Sequence, residues 1–428
     1  MIRIWRGQPV NHSHLADNPA SRRHPAMTRR KTGLWLIGAR GSVATTTIVG
    51  LVGLQNRLVA EQGLVSSLPA FRELDLLDWS DVVVGGHEIR ASLLLDEARE
   101  LASGRQVLDA QLVEVCRADL EEIDRAVQPG CLVNVGPTIM DMAEAESQQR
   151  SESPRASIQR LQNDLRTFAR DHDLGRIVVV NVASTEPPLD VRQLPADWAG
   201  MDQELDDPQR CALPASSLYA IAALQLGYPF INFTPSLGST PRAIQELAIS
   251  QNTCHMGQDG KTGETLLKSV LAPMFARRNL GVMSWVGHNI FGNRDGQVLN
   301  DPANKQSKVV TKDRVLGETL GYDPQSLVGI EYIESLGDWK TAWDHIHFRG
   351  FLGMPMVMQF IWQGCDSLLA APLVLDLFRF AERAARQGQS GLLTFLASFF
   401  KSPLGVSEYG FERQFQMLET WAEETRRN

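Results

Sequence analysis

The sequence predicts an α/β fold built on a doubly wound parallel sheet, and three observations carry that prediction. Short apolar runs recur, each ending in a loop rich in glycine, hydroxyl side chains or proline: TGLWLIGARG at 32–41, DVVVGGHE at 81–88, RIVVVNVASTEPP at 176–188 and YPFINFTPS at 228–236. Between them lie charged, amphipathic stretches of helical length, the alternation expected of strands covered by helices on both faces. At 428 residues the chain exceeds one ordinary domain, so a second structural unit is expected beside the sheet.

The elements follow in order. Leu34 to Ile37 read as a buried strand, followed by the turn Gly38-x-x-Gly41-x-x-Ala44 and a helix, with Arg40 where the usual fingerprint has its second glycine. Gly38, Ala39, Arg40, Gly41, Ser42 and Val43 offer backbone N–H groups at the helix start. Such a turn holds a pyrophosphate in dinucleotide-binding folds, and elsewhere merely joins a strand to a helix. The second strand ends in Gly85-Gly86 and His87-Glu88, where Glu88 either accepts ribose hydroxyls or caps the loop. A long helical region is expected from 93 to 126, a strand over CLVNVGPTIM at 131–140, and an amphipathic helix within 143–175 headed by a loop at Ser151 to Pro154. The strands at 176 and 230 run into Ser184-Thr185-Glu186 and into a loop holding Asn232, Thr234, Ser236 and Ser239; Pro241 opens the next helix. These polar tips fall on one rim, where open α/β sheets bind ligands.

Composition narrows the partners. A net charge of −8 with interspersed signs argues against nucleic acid. The cysteines at 116, 131, 211, 254 and 365 are odd in number and never spaced as CxxC, which fits buried, reduced thiols in a cytoplasmic protein. No apolar run reaches membrane-spanning length, since Pro355 and Gln359 break the tract at 350–362. Residues 1–29 are basic and polar without an apolar core, so they read as a disordered extension and not a secretory signal, with Met27 an alternative start. No His/Cys/Asp spacing specifies a metal site.

The lysines are the sharpest local signal. They stand only at 31, 261, 268, 305, 308, 312, 340 and 401, and all other basic residues are arginine. Arginine serves wherever a surface charge suffices, whereas an ammonium is compact and exchanges protons once burial or neighbouring cations lower its pKa. Lys261 and Lys268 fall on one face of the helical segment 262–278, and Lys308 and Lys312 share a face as strand or helix. Mixed with Asp259, Asp295 and Asp313, the cluster suits a small anionic substrate. Beyond it, two β segments flank the turn Gly337-Asp338-Trp339-Lys340, an amphipathic helix spans 365–386, and an apolar helix is expected to end at Lys401.

From Gly33 to Lys401 these segments resemble the inositol-1-phosphate synthases. HNIFGNRDGQVL followed by SKVVTK resembles the family's N-x-x-GN-x-DG block and its SK-x-x-(S/T)K. GQDGKTGETLLKSVL resembles D-x-K-(S/T)G-x-T-x-x-K, INFTPS the INGSPQ loop, VASTEPP the NTE turn, VVVGGHEI the GGWDI strand, LGDWKTAWD the GDSK turn, DSLLAAPLVLDL the DSLLA-x-PL helix and FFKSPL the K-(A/S)PL motif. The resemblance implies conversion of glucose 6-phosphate to 1L-myo-inositol 1-phosphate (1D-myo-inositol 3-phosphate) with NAD regenerated in each cycle. The implied steps are oxidation at C5, proton loss at C6, closure of C6 onto C1 and re-reduction at C5. It places Lys268, Lys308, Lys401, Lys261, Lys312 and Lys340 at the substrate, for proton transfer, oxyanion stabilisation and phosphate anchoring. Asp259 and Asp338 would lie near nicotinamide and substrate, and Asn289, Asn293 and Asp295 would bind substrate. NAD would lie against Gly38–Val43, Glu88, Ser184, Thr185 and Thr234. Arg40, Ala44, His87 and the Pro187-Pro188 pair depart from the family pattern, all on the cofactor side.

The implied architecture is a discontinuous Rossmann-like NAD domain, 30–237 plus 342–428, with an inserted α+β catalytic and oligomerisation domain at 238–341 that assembles a homotetramer. Two rivals share these residues. A stoichiometric rise in NADH would mark a related enzyme acting on another sugar phosphate or stopping at simple dehydrogenation, and a non-catalytic dinucleotide-binding regulator would not need the lysines.

Overall fold

The computed structural model describes residues 31–104, 106–150, 152–292 and 316–427. A seven-stranded sheet has the order β11-β6-β5-β4-β1-β2-β3. Its strands are β1 (Thr32–Ile37), β2 (Val82–Glu88), β3 (Val127–Pro129), β4 (Arg176–Asn181), β5 (Phe230–Asn232), β6 (Cys254–Gly257) and β11 (Gly391–Leu392). Every pairing is parallel; β1 runs in register with both β2 and β4, Ile37 facing His87 and Asn181. The two faces divide as strand alternation requires. Leu34, Leu36, Val178, Val180 and Ile231 pack beneath the helices Ser42–Gln55, Asp366–Arg386 and Phe411–Arg427. Trp35, Ile37, Ile177, Val179 and Phe230 pack against Pro154–Asp171, Ala215–Gln225 and Arg242–Ser250. Burial on both faces is why these strands read as unbroken apolar runs. Each buried Leu, Ile or Phe contributes about 1.5–3 kcal/mol.

The second sheet has the order β10-β9-β7-β8, from β7 (Gly281–Phe291), β8 (Gln325–Tyr332), β9 (Trp339–Arg349) and β10 (Pro355–Cys365). The helix Glu264–Arg277 covers one face through Ala272 and Phe275 against Val282, Trp285 and Ile346. No described helix is long and apolar enough to cross a membrane.

Several expectations change. The strand expected at 131–140 is instead β3 at Val127–Pro129, followed by a loop and a short helix. Asn134 at φ 53° and Gly136 at φ 83° are left-handed and end any ladder there. The helical region 93–126 is broken into Leu94–Arg99, a π-helical turn at Glu100–Gly104, Ala110–Val115 and Arg117–Arg125, with Asp109 capping the third piece by accepting from Leu112 N. The apolar helix before Lys401 is a 3₁₀ segment, Thr394–Phe399, because the following residues zip against the 258–261 loop: Lys261 N donates to Phe399 O and Lys401 N to Asp259 O. Strand pairing also moves the boundaries expected at 238 and 341. β6 belongs to the large sheet, while β9 crosses residue 341 and continues into the second sheet through β10. Residues 1–29 fall outside the described residues.

Candidate active site

The order of the large sheet reverses between β4 and β1, the position at which an open α/β sheet forms a crevice beyond its strand ends. A cleft enclosing about 1910 Å³ of space open to solvent lies there, lined by the ends of β1, β2, β4 and β5 and by the start of the helix Glu264–Arg277.

The glycine turn forms one wall. Gly38 has φ 79°, and a Cβ on it would lie 2.8 Å from Ala183 Cα, so only glycine fits between β1 and β4. Gly38 N and Ala39 N donate to His87 O, while Gly41, Ser42 and Val43 line the cleft at the helix start. Of the remaining turn residues, Ala39 is buried in the core, and Arg40 turns its guanidinium away to Asp124 Oδ1 at 2.7 Å. Gly41 N donates to Gly38 O and Arg40 N to Glu88, so the backbone N–H groups the turn leaves for a pyrophosphate are those of Ser42 and Val43 at the helix start.

Glu88 also lines the cleft, yet its carboxylate accepts from Arg40 N, Ile89 N, Arg90 N and the Arg90 guanidinium. These bonds fill the roughly four acceptor sites of a carboxylate. His87 is buried: its Nδ1 accepts from Trp35 Nε1 at 2.9 Å, which leaves Nε2 to donate to Asp164 at 3.1 Å, and burial lowers its pKa.

Ser184, Thr185 and Thr234 stand on the cleft wall at the ends of β4 and β5. Asn181 Nδ2 donates to Asn232 Oδ1 and Thr234 Oγ1, cross-linking the two strand ends. Glu186 beside them accepts from Ser216 N at 2.8 Å and from Ser216 Oγ, and burial pushes its carboxyl up to about 7.

Two ion pairs complete the cleft lining. Lys401 Nζ lies 2.8 Å from Asp259 Oδ1, and Lys340 Nζ lies 3.4 Å from Asp366 Oδ2 and 5.2 Å above the Phe291 ring. All five residues line the cleft.

The other lysines differ. Lys268 is fully buried behind the wall, 2.7 Å from Glu264 Oε1, and Asn289 Nδ2 donates to the other oxygen of Glu264. Glu264 is the member of this group that reaches the cleft. Lys261 is buried with Nζ donating to Gln414, and burial lowers its pKa to about 7. Asp338 is buried in the turn before β9, off the cleft wall. Lys308, Lys312, Asn293 and Asp295 lie outside the described residues.

Residue reasoning missed Glu186, Ser216, Arg90, Glu264 and Asp366. Arg90 and Asp366 each follow a strand end, a signal that was present; Ser216 sits in an apolar helix that gives none. Among the described residues no group of three His, Cys, Asp or Glu side chains is arranged to hold a metal ion.

Comparison with known proteins places this geometry. The family model described as "Myo-inositol-1-phosphate synthase", a NAD-binding family, matches residues 32–423. The chain is similar to inositol-3-phosphate synthase 1 of Bacteroides thetaiotaomicron, 32% identical over 410 residues, covering 90% of this chain and 91% of that one. It is also similar to inositol-3-phosphate synthase 1 of rice, 30% identical over 322 residues, where the match spans 72% of this chain and 60% of the relative. The crystal structure of inositol-3-phosphate synthase from Caenorhabditis elegans shares the fold with TM-score 0.83 at 24% identity, covering 94% of this chain and 86% of that one. A myo-inositol-1-phosphate synthase-related protein from Thermotoga maritima does so with TM-score 0.74 at 24% identity, covering 92% and 99%. With a cofactor crevice at the switch point and a match running almost its whole described length, the chain belongs to the myo-inositol-1-phosphate synthase family.

Proposed function

We infer that this protein is an NAD-dependent cyclase converting D-glucose 6-phosphate to 1L-myo-inositol 1-phosphate (1D-myo-inositol 3-phosphate). The observation that carries this reading is that one cleft joins a backbone-lined crevice at the switch point to two lysines held beside carboxylates, Lys340–Asp366 and Lys401–Asp259. NAD, when bound, supplies the reversible oxidation at C5. Ser42 and Val43 at the helix start would hold its pyrophosphate, with Gly38 and Gly41 keeping the turn clear of side chains and Ser184, Thr185 and Thr234 along its path. Lys401 and Lys340 are assigned to moving protons at C5 and C6 and to holding the oxyanions, because an ammonium beside a carboxylate both donates and neutralises. Lys261, Lys268, Asp338 and Asn289 are assigned to positioning, from behind the wall. Lys308, Lys312, Asn293 and Asp295 keep their substrate assignment on the resemblance alone. A regulator without catalysis would have no use for paired lysines in the cleft.

The same reading includes a homotetramer assembled through the second sheet. β10 is an edge strand whose neighbourhood exposes Phe351 (89%), Leu352 (80%), Ile361 (68%) and Met354 (62%), an apolar edge of the kind proteins cover. Five buried, unpaired cysteines fit a reducing, cytoplasmic setting.

The test is phosphorus and proton NMR of glucose 6-phosphate incubated with the protein and catalytic NAD, with absorbance of reduced nicotinamide followed in parallel. An inositol phosphate formed without net NADH is the expected result. NADH accumulating in step with substrate loss would replace this reading with simple dehydrogenation.

A further inference from the structure

The corner beyond β2 is built from five charged side chains, and the pattern bears on which dinucleotide the crevice selects. In crevices of this topology the acidic residue ending the second strand takes the adenosine ribose hydroxyls, and a nearby arginine accommodates a 2′-phosphate. Here both residue types are present, but each is engaged within the chain. Glu88 is filled by the donors described above. Arg90, on the cleft wall, directs Nε and Nη2 to Glu88, Nη2 also to Arg40 O at 2.5 Å, and Nη1 to Glu97 Oε1 at 2.9 Å. Arg40 is held by Asp124 at 2.7 Å and donates from Nη1 to Arg90 O at 3.3 Å; Asp124 Oδ1 also accepts from Leu94 N. The guanidiniums are only 17% and 15% exposed. Three carboxylates thus surround two guanidiniums. An incoming phosphate dianion would meet net negative charge and arginines with most of their donors spent.

Resting on the reading of the cleft as an NAD site, we propose that Glu97 and Asp124, neither facing the reacting atoms, set the preference for NAD over its 2′-phosphorylated counterpart. They do so by occupying Arg90 and Arg40. Arg40, standing where the glycine fingerprint would have glycine, is then one half of a specificity device. Glu97→Gln and Asp124→Asn keep the side-chain shape while removing one negative charge each, which weakens the hold on the guanidinium and lets a phosphate at the ribose compete for it.

The experiment is calorimetric titration of the full chain with NAD and with NADP, for the wild type, the two single variants, their double variant, and the double variant carrying Arg90→Met. The wild type is expected to prefer NAD by at least about tenfold, and each single variant to narrow that ratio by about threefold to tenfold through tighter NADP binding. Adding Arg90→Met to the double variant should remove the share of the gain that Glu97→Gln contributes and leave no more than the Asp124→Asn single variant shows. A wild type binding both dinucleotides equally, or a double-variant gain that Arg90→Met leaves undiminished, would overturn the assignment. So would single variants that bind NAD and leave NADP affinity unchanged. A wild type that binds neither dinucleotide would instead bring down the cofactor reading, and this proposal with it.

Discussion

Two parts of the cleft lining are built on opposite principles. In the part assigned to the cofactor the charged side chains Arg40, Glu88 and Arg90 are tied to one another, and what faces the crevice is largely backbone, hydroxyls and glycine. In the part assigned to the substrate the wall is made of charge itself, Lys340 and Lys401 beside Asp366 and Asp259. The difference teaches that the first part is specified by chain path and the second by residue identity, so they should fail differently when mutated.

The largest expected effect sharpens that contrast. Lys401→Met and Lys340→Met should each lower kcat by roughly 10²–10⁴-fold, the usual worth of a positioned acid–base group, while NAD titration gives near wild-type affinity. Parallel loss of NAD binding would mean that the two parts are not separable. Lys268→Met should act on the fold instead. Leaving Glu264 buried without its ammonium is expected to destabilise by about 3–5 kcal/mol, read as a shift in the urea midpoint, and Glu264→Gln in the same chain should restore much of it.

Glu186 supplies a pH test in the cofactor part. Burial raises its carboxyl from 4.5 to about 7, so the folded state binds the proton more tightly than the unfolded chain. Stability from this group is therefore fully present below pH 4.5 and is lost as pH rises toward 7, a change on the order of 3 kcal/mol. Glu186→Gln should flatten that part of the stability profile; an unchanged slope would assign it to other groups. Gly38→Ala should cost the fold about 1–2 kcal/mol for the left-handed conformation alone, with the clash at Ala183 adding to it. It should also weaken NAD binding, because the added Cβ pushes β1 away from Ala183.

The same contrast governs what was legible in the sequence. Strands β1, β2, β4 and β5 of the large sheet were readable because they are apolar runs that end in glycine or hydroxyl residues, as at Ile37-Gly38 and Asn181 to Thr185; the short β3, β6 and β11 were not. The break-up of 93–126 was not, because Asp109 and the π-helical turn interrupt a helix whose composition continues smoothly through it. Lys401 and Lys340 were visible as residual lysines in an arginine-rich chain. That Lys268 belongs behind the wall was invisible, because its depth depends on β7 and β9 closing over the helix that carries it. Ser216 carried no signal, since its partner Glu186 lies 30 residues away.

The central claim, that oxidation and re-reduction occur at the same carbon within one bound cycle, is tested most directly with glucose 6-phosphate deuterated at C5 and substoichiometric NAD. The account predicts an inositol phosphate that retains the deuterium, with no NADH released. Deuterium found in free reduced nicotinamide, or washed out to solvent, would contradict it.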